Sequence, residues 1–111
     1  PLASYSLLKY AADAAERIGA HAVVGSVFTA DQFYDANKNS AQKYREMGIL
    51  AVEMETAGLY LTAASAGKQA LSILTISDLV FTGEGLTAIE RQNSFTQMME
   101  IALETAWKSL D

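Results

Sequence analysis

No cysteine occurs among the 111 residues, and proline, histidine and tryptophan occur once each. Without thiols there are no disulfides, which fits a reducing compartment and sets the expectation of a cytoplasmic protein. No cluster of Lys or Arg is present, and 8 basic residues stand against 13 acidic ones for a net charge of −5. That balance speaks against nucleic acid or an anionic membrane as a partner. No apolar run reaches the roughly 18 residues of a membrane helix. Also missing are a phosphate loop, a GxGxxG fingerprint and any cluster with metal-ligand spacing, so no metal or cofactor is expected. The opening Pro1-Leu2-Ala3-Ser4 has neither a Met nor a signal-peptide pattern and reads as the middle of something longer.

What is present is a globular balance: 50% of the residues are hydrophobic and 19% charged. Helical and strand-like segments alternate. Ser4 is placed to cap a helix whose apolar positions are Leu7, Leu8, Ala11, Ala14, Ala15 and Ile18, and Gly19 suits its stop. Residues 21–30 read as a mostly buried strand, 31–39 as a polar and aromatic loop, and 40–47 as a short helix ended by Gly48. Residues 49–52 form a short strand, 53–66 an Ala-rich helix ended by Gly67, and 69–80 a second long apolar strand. After a loop holding Gly83 and Gly85, Thr87-x-x-Glu90 is a capping box for the last helix. Apolar strands separated by helices predict an α/β fold, a three-layer αβα arrangement around a central, mostly parallel or mixed sheet. Ligands of such sheets sit at the carboxyl ends of the strands.

Those ends hold the candidate residues. Asp78 follows eight uncharged residues and is expected at the carboxyl end of the second long strand, with Ser77 beside it as a hydrogen-bonding neighbour. A carboxylate buried there has to be paired or protonated; the plainer alternative is a helix cap or a loop-closing Asp. Arg91 shares a helical face with Phe95 and Met98 and, near a helix N-terminus, calls for an anion, which Asp78 offers. A structural ion pair, or an Arg reaching out to solvent, fits the same spacing. Glu53 and Glu55 stand where a strand becomes a helix. They either complement the helix dipole or, given the alternating lead-in Ala51-Val52-Glu53-Met54, place a carboxylate in a dry cleft to accept hydrogen bonds from a vicinal diol. Phe33 and Tyr34, in the loop after the first strand, either stack on a flat base or cap the core. His21, at the start of its strand, is read as structural.

Four segments together resemble the nucleoside phosphorylase superfamily: Val52-Glu53-Met54-Glu55-Thr56-Ala57-Gly58, Thr75-Ile76-Ser77-Asp78, Thr87-Ala88-Ile89-Glu90-Arg91-Gln92 and Phe28-Thr29-Ala30-Asp31-Gln32-Phe33-Tyr34. The third and fourth are closest to the bacterial, hexamer-forming purine enzymes. The resemblance runs in order through nearly the whole chain and implies that residues 1–111 are the C-terminal half of a single phosphorylase domain. It implies phosphorolysis of purine nucleosides to free base and (deoxy)ribose 1-phosphate, with inorganic phosphate as co-substrate and no cofactor. It also implies the roles: Asp78 protonates purine N7, Arg91 pairs with Asp78, Glu55 binds ribose hydroxyls, Met54 packs on the sugar, Phe33 stacks on the base, Val52 lines its pocket, and Ser77 supports it. Glu53 belongs to the same ribose-holding segment. A permanent Arg91–Asp78 pair would leave the acid without a proton to give, so Arg91 is expected to approach only after substrate binds, with Gly83 and Gly85 as flexible points.

The family builds its phosphate site from glycines and arginines of the other half, which this chain does not contain. The 111 residues alone are therefore expected to be inactive, and a homo-oligomer, hexameric in the family, is expected of the whole. Two rival readings are a hydrolytic nucleosidase of the same superfamily, which uses water in place of phosphate, and a catalytically inert half-domain that serves assembly.

Overall fold

The structure is a computed structural model and describes residues 1–32 and 38–110. Among the described residues, four helices and two strands follow one another as α1 (Tyr5–Arg17), β1 (Val27–Thr29), α2 (Lys38–Glu46), β2 (Ala51–Glu53), α3 (Thr56–Ser65) and α4 (Ala88–Lys108). The two strands pair in parallel, with Val27 opposite Ala51, Phe28 opposite Val52 and Thr29 opposite Glu53. The chain is thus α/β with a small parallel sheet, as the alternation of segments implies.

Helix ends follow the local chemistry. The Ser4 side chain accepts the Leu7 N–H at α1, and at α4 the Thr87 hydroxyl and Glu90 carboxylate satisfy each other's backbone N–H groups, so the capping box is complete. Gly19, Gly48 and Gly67 follow α1, α2 and α3 with positive φ, a left-handed turn that only glycine adopts without strain.

The core lies between α1 and α4. Ala11, Ala14, Ala15 and Ile101 are its buried apolar residues, and Leu71 and Ile73 pack on it from the segment before the last helix. Small alanines on α1 let the two helix backbones come close. On its other side that segment meets α3: the Ser72 N–H donates to the Tyr60 hydroxyl and the Thr56 hydroxyl donates to Ser72 Oγ. Phe28 of β1 stacks on Tyr44 of α2, with ring centroids 4.3 Å apart.

Two expectations change. The strand expected over 21–30 narrows to Val27–Thr29, with Ser26 and Ala30 bonded across to the neighbouring strand at its ends. The long strand expected over 69–80 has no ladder among the described residues; its single bridge is antiparallel, Asp78 to Gly85. An apolar run reports which faces can be covered. It carries no record of whether a neighbouring strand is there to take its N–H and C=O groups. Leu74 and Ile76 of this run are exposed, as are Val23 and Val24 of the first.

Candidate active site

The carboxyl ends of β1 and β2 lie side by side, because the register sets Thr29 across from Glu53 and the Ala30 N–H continues the ladder onto the Glu53 carbonyl. The four candidate residues Val52, Glu53, Met54 and Glu55 follow directly. Val52 is 50% exposed on β2, Met54 and Glu55 are exposed in the turn, and Glu53 is half-buried between them.

Glu53 is held by its own chain. The Thr29 hydroxyl donates to its Oε1, and Oε2 accepts the backbone N–H of Glu55 at 2.6 Å and of Thr56 at 2.7 Å. Burial pushes this carboxyl up, but the donors outweigh it: the Thr29 hydroxyl, the two backbone N–H groups and the Thr56 side chain hold it below its ordinary value. Glu53 therefore caps α3 from outside, whereas Glu55, at the N-cap position, makes no capping bond with its side chain. The Glu55 carboxylate is exposed and has no hydrogen bond or ion pair to any described residue, leaving both oxygens available to hydroxyl donors.

Ser77 and Asp78 open a tight turn. Leu79 N–H donates to the Glu84 carbonyl at 2.7 Å, Gly83 N–H to Leu79 at 2.8 Å and Leu86 N–H to Ser77 at 3.0 Å. Gly83 sits at φ +72°, which this reversal requires. Asp78 Oδ1 lies where a side chain on Gly85 would crowd it, 2.9 Å from an added Cβ. The Ser77 hydroxyl donates to Asp78 Oδ2 at 2.9 Å. The buried carboxylate expected at the end of a long strand is instead exposed, beside a turn that closes on its own backbone.

Arg91 is exposed in the first turn of α4, its N–H bonded to the Thr87 carbonyl. Among the described residues no ion pair joins it to Asp78, so the two stand apart in this state. Phe33, the residue expected to stack on a base, and Tyr34 lie outside the described residues. His21 is exposed before β1. Two features escaped the sequence reading. Thr29 was legible only as part of a motif; its signal is its register opposite Glu53. Arg45 of α2 lies over the Phe81 ring, 5.0 Å from its centroid, and so ties α2 to the turn after Asp78; a cation and an aromatic 36 residues apart carry no signal in sequence alone. Among the described residues there is no group of His, Cys, Asp and Glu that could hold a metal, and no helix is long and apolar enough to cross a membrane.

The phosphorylase superfamily model matches residues 1–110. The DeoD-type purine nucleoside phosphorylase of Bacillus cytotoxicus is 53% identical over 106 residues, which are 96% of this chain and 45% of that protein. Those of Bacillus thuringiensis and Bacillus mycoides are each 51% identical with the same coverage. The chain thus spans a little under half the length of these relatives. It belongs to the phosphorylase superfamily.

Proposed function

We propose that this chain supplies the base- and ribose-binding part of a purine nucleoside phosphorylase, an enzyme that converts a purine (deoxy)ribonucleoside and inorganic phosphate into free base and (deoxy)ribose 1-phosphate. The observation that carries this reading is the identity of 51–53% with DeoD-type relatives across 96% of the chain, a stretch that takes in the motif-bearing residues.

The chemistry follows from what each group offers. The carboxylic acid of Asp78 gives its proton to purine N7. The glycosidic C–N bond then breaks with its electron pair moving into the base, while a phosphate oxygen forms the new bond to the sugar carbon. Ser77 steadies the Asp78 carboxyl for this step. Arg91 swings in once the nucleoside is bound and pairs with the carboxylate that proton transfer leaves behind. Glu55 accepts from the ribose hydroxyls, Met54 packs on the sugar, Val52 and Phe33 contact the base, and Glu53 keeps the ribose segment in place. Phosphate is held by residues outside these 111: Arg17, Arg45 and Arg91 are the only arginines, and none stands beside another as a paired anion cradle needs. The whole protein acts as a homo-oligomer, a hexamer, in the cytoplasm.

The test is to titrate the 111-residue protein with inosine and to assay phosphate-dependent hypoxanthine release, alone and with the N-terminal half of a DeoD-type relative. Expected are inosine binding without turnover alone, and phosphorolysis when the other half is added. Hypoxanthine release that needs water but no phosphate would replace the proposal with a nucleosidase. Binding without turnover in every combination would make the chain an assembly half.

A further inference from the structure

We infer that Thr29 is the positioning residue of the ribose segment: it touches no substrate, but through Glu53 it fixes the backbone that presents Met54 and Glu55. The inference rests on the proposed nucleoside-binding role of that segment.

Three successive backbone N–H groups at the start of α3 have no partner within the helix, as at any helix start. They belong to Glu55, Thr56 and Ala57. Glu53 Oε2 accepts the first two, at 2.6 and 2.7 Å, and Thr29 Oγ1 accepts the third at 3.0 Å. The Thr29 hydroxyl proton is donated to Glu53 Oε1. One hydroxyl thus does two jobs: it donates to the carboxylate that caps the helix, and it accepts a helix donor itself. The link is possible because the parallel register sets Thr29 directly opposite Glu53.

A consequence follows for function. Helix α3 is capped by residues from the two strand ends rather than by its own N-cap residue, Glu55. Glu55 is thereby relieved of the task its position would ordinarily assign to a carboxylate, and its oxygens stay free for a ligand. Glu53 and Glu55, two residues apart and alike in sequence, divide the work: one builds, the other binds.

The experiment compares Thr29→Val, which keeps the branched shape suited to a strand but has no hydroxyl, with Thr29→Ser, which restores it. Two readouts are taken on the 111-residue protein: amide hydrogen exchange at Glu55, Thr56 and Ala57, and the pH dependence of inosine affinity by calorimetry. Thr29→Val is expected to speed exchange at these amides and to weaken inosine binding about three- to tenfold, the loss that one net hydrogen bond represents. It should also move the acid limb of binding to higher pH, since Glu53 loses one of the donors that oppose its protonation. Thr29→Ser should return all three toward wild type. Unchanged exchange in Thr29→Val, or a Thr29→Ser variant as impaired as Thr29→Val, overturns the inference. If the wild type binds no inosine, the functional reading fails, and the exchange data alone then decide whether Thr29 holds this segment.

Discussion

The α1–α4 seam and the strand-end region are built on different principles. At the seam, Ala14 is 2% exposed and Ile101 7% exposed; what holds it is apolar surface removed from water. At the strand ends and at the turn after Ser77, Val52, Met54, Glu55 and Asp78 are all exposed. What holds them is a set of directed hydrogen bonds, those of Glu53 and Thr29 on one side and of the turn from Ser77 to Leu86 on the other. Burial stabilises without specifying direction, whereas hydrogen bonds fix orientation and leave surface open. The candidate residues thus stand in the region held by directed hydrogen bonds, and the buried core stands in the other. Substitutions in the two should therefore fail in different ways, one set losing rate and the other losing the fold.

The largest effect is expected at Asp78. Asp78→Asn, combined with the N-terminal half of a DeoD-type relative, should lower phosphorolysis about 10²- to 10⁴-fold, the range a positioned proton donor supplies. Inosine affinity should change little, since Asn keeps the shape and can still hydrogen-bond to N7. Stability should change little as well, because the carboxylate is exposed and the turn closes through backbone groups. Pre-steady-state turnover and a thermal melt, read side by side, check both halves of the statement; wild-type turnover would remove the acid role from Asp78.

Next comes the seam. Ile101→Ala removes a buried branched side chain from between the two helices and should cost about 2–5 kcal/mol, the usual loss for a core truncation. In a chain with so small a buried core that is much of its stability. Chemical denaturation would show the midpoint falling. The sharper version asks whether the site survives: under conditions where the variant is still folded, inosine affinity should equal that of wild type. A variant that stays stable but loses affinity would show that the two regions are not separate after all.

The α1 side of the seam was legible in sequence, whereas its α4 side, where Ile101 is buried and Met99, Leu103 and Leu110 are exposed, was not, and neither was much of the site, for a physical reason. Helix ends are local chemistry. Ser4, the Thr87–Glu90 box and the glycines at 19, 48 and 67 act over three or four residues, so their signal lies within a short window. The spacing of Ala11, Ala14 and Ala15 likewise marks the face that is buried. Strand pairing is not local. The run 69–80 has the composition of a buried strand, yet its hydrogen bonds depend on neighbours far off in the chain. The site combines both kinds. Four motifs point to its candidate residues, but which of Glu53 and Glu55 turns toward the helix depends on Thr29, twenty-four residues earlier. Whether Arg91 meets Asp78 depends on how the turn between them closes.

The smallest expected effect separates the two regions by the kind of charge each contains. Each region has a carboxylate held below its ordinary value. Glu53 is lowered by the Thr29 hydroxyl and backbone donors acting against burial. Glu104, at the rim of the seam, is lowered first by its hydrogen bond from Arg17 and further by the Arg17 and Lys108 charges; the Arg17 contact is 2.6 Å. In both, the folded form takes up a proton less readily than the unfolded chain. The stability each contributes is therefore fully present above the ordinary carboxyl value of 4.5 and is lost as the pH falls through the lower folded value. Salt tells them apart. The Arg17 side chain is 55% exposed, and at about 1 M salt the screening length shrinks to about 3 Å, so the part owed to this pair should fade. The donors to Glu53 carry no net charge, and their share should persist. Melting temperatures of wild type, Arg17→Met and Glu53→Gln, taken at neutral and acid pH in low and high salt, are expected to show this. Arg17→Met should differ slightly from wild type at low salt and merge with it at high salt, whereas Glu53→Gln should have a flatter acid limb at both. An acid limb in wild type that vanishes entirely with salt would mean that the strand-end region is held by charge rather than by directed hydrogen bonds.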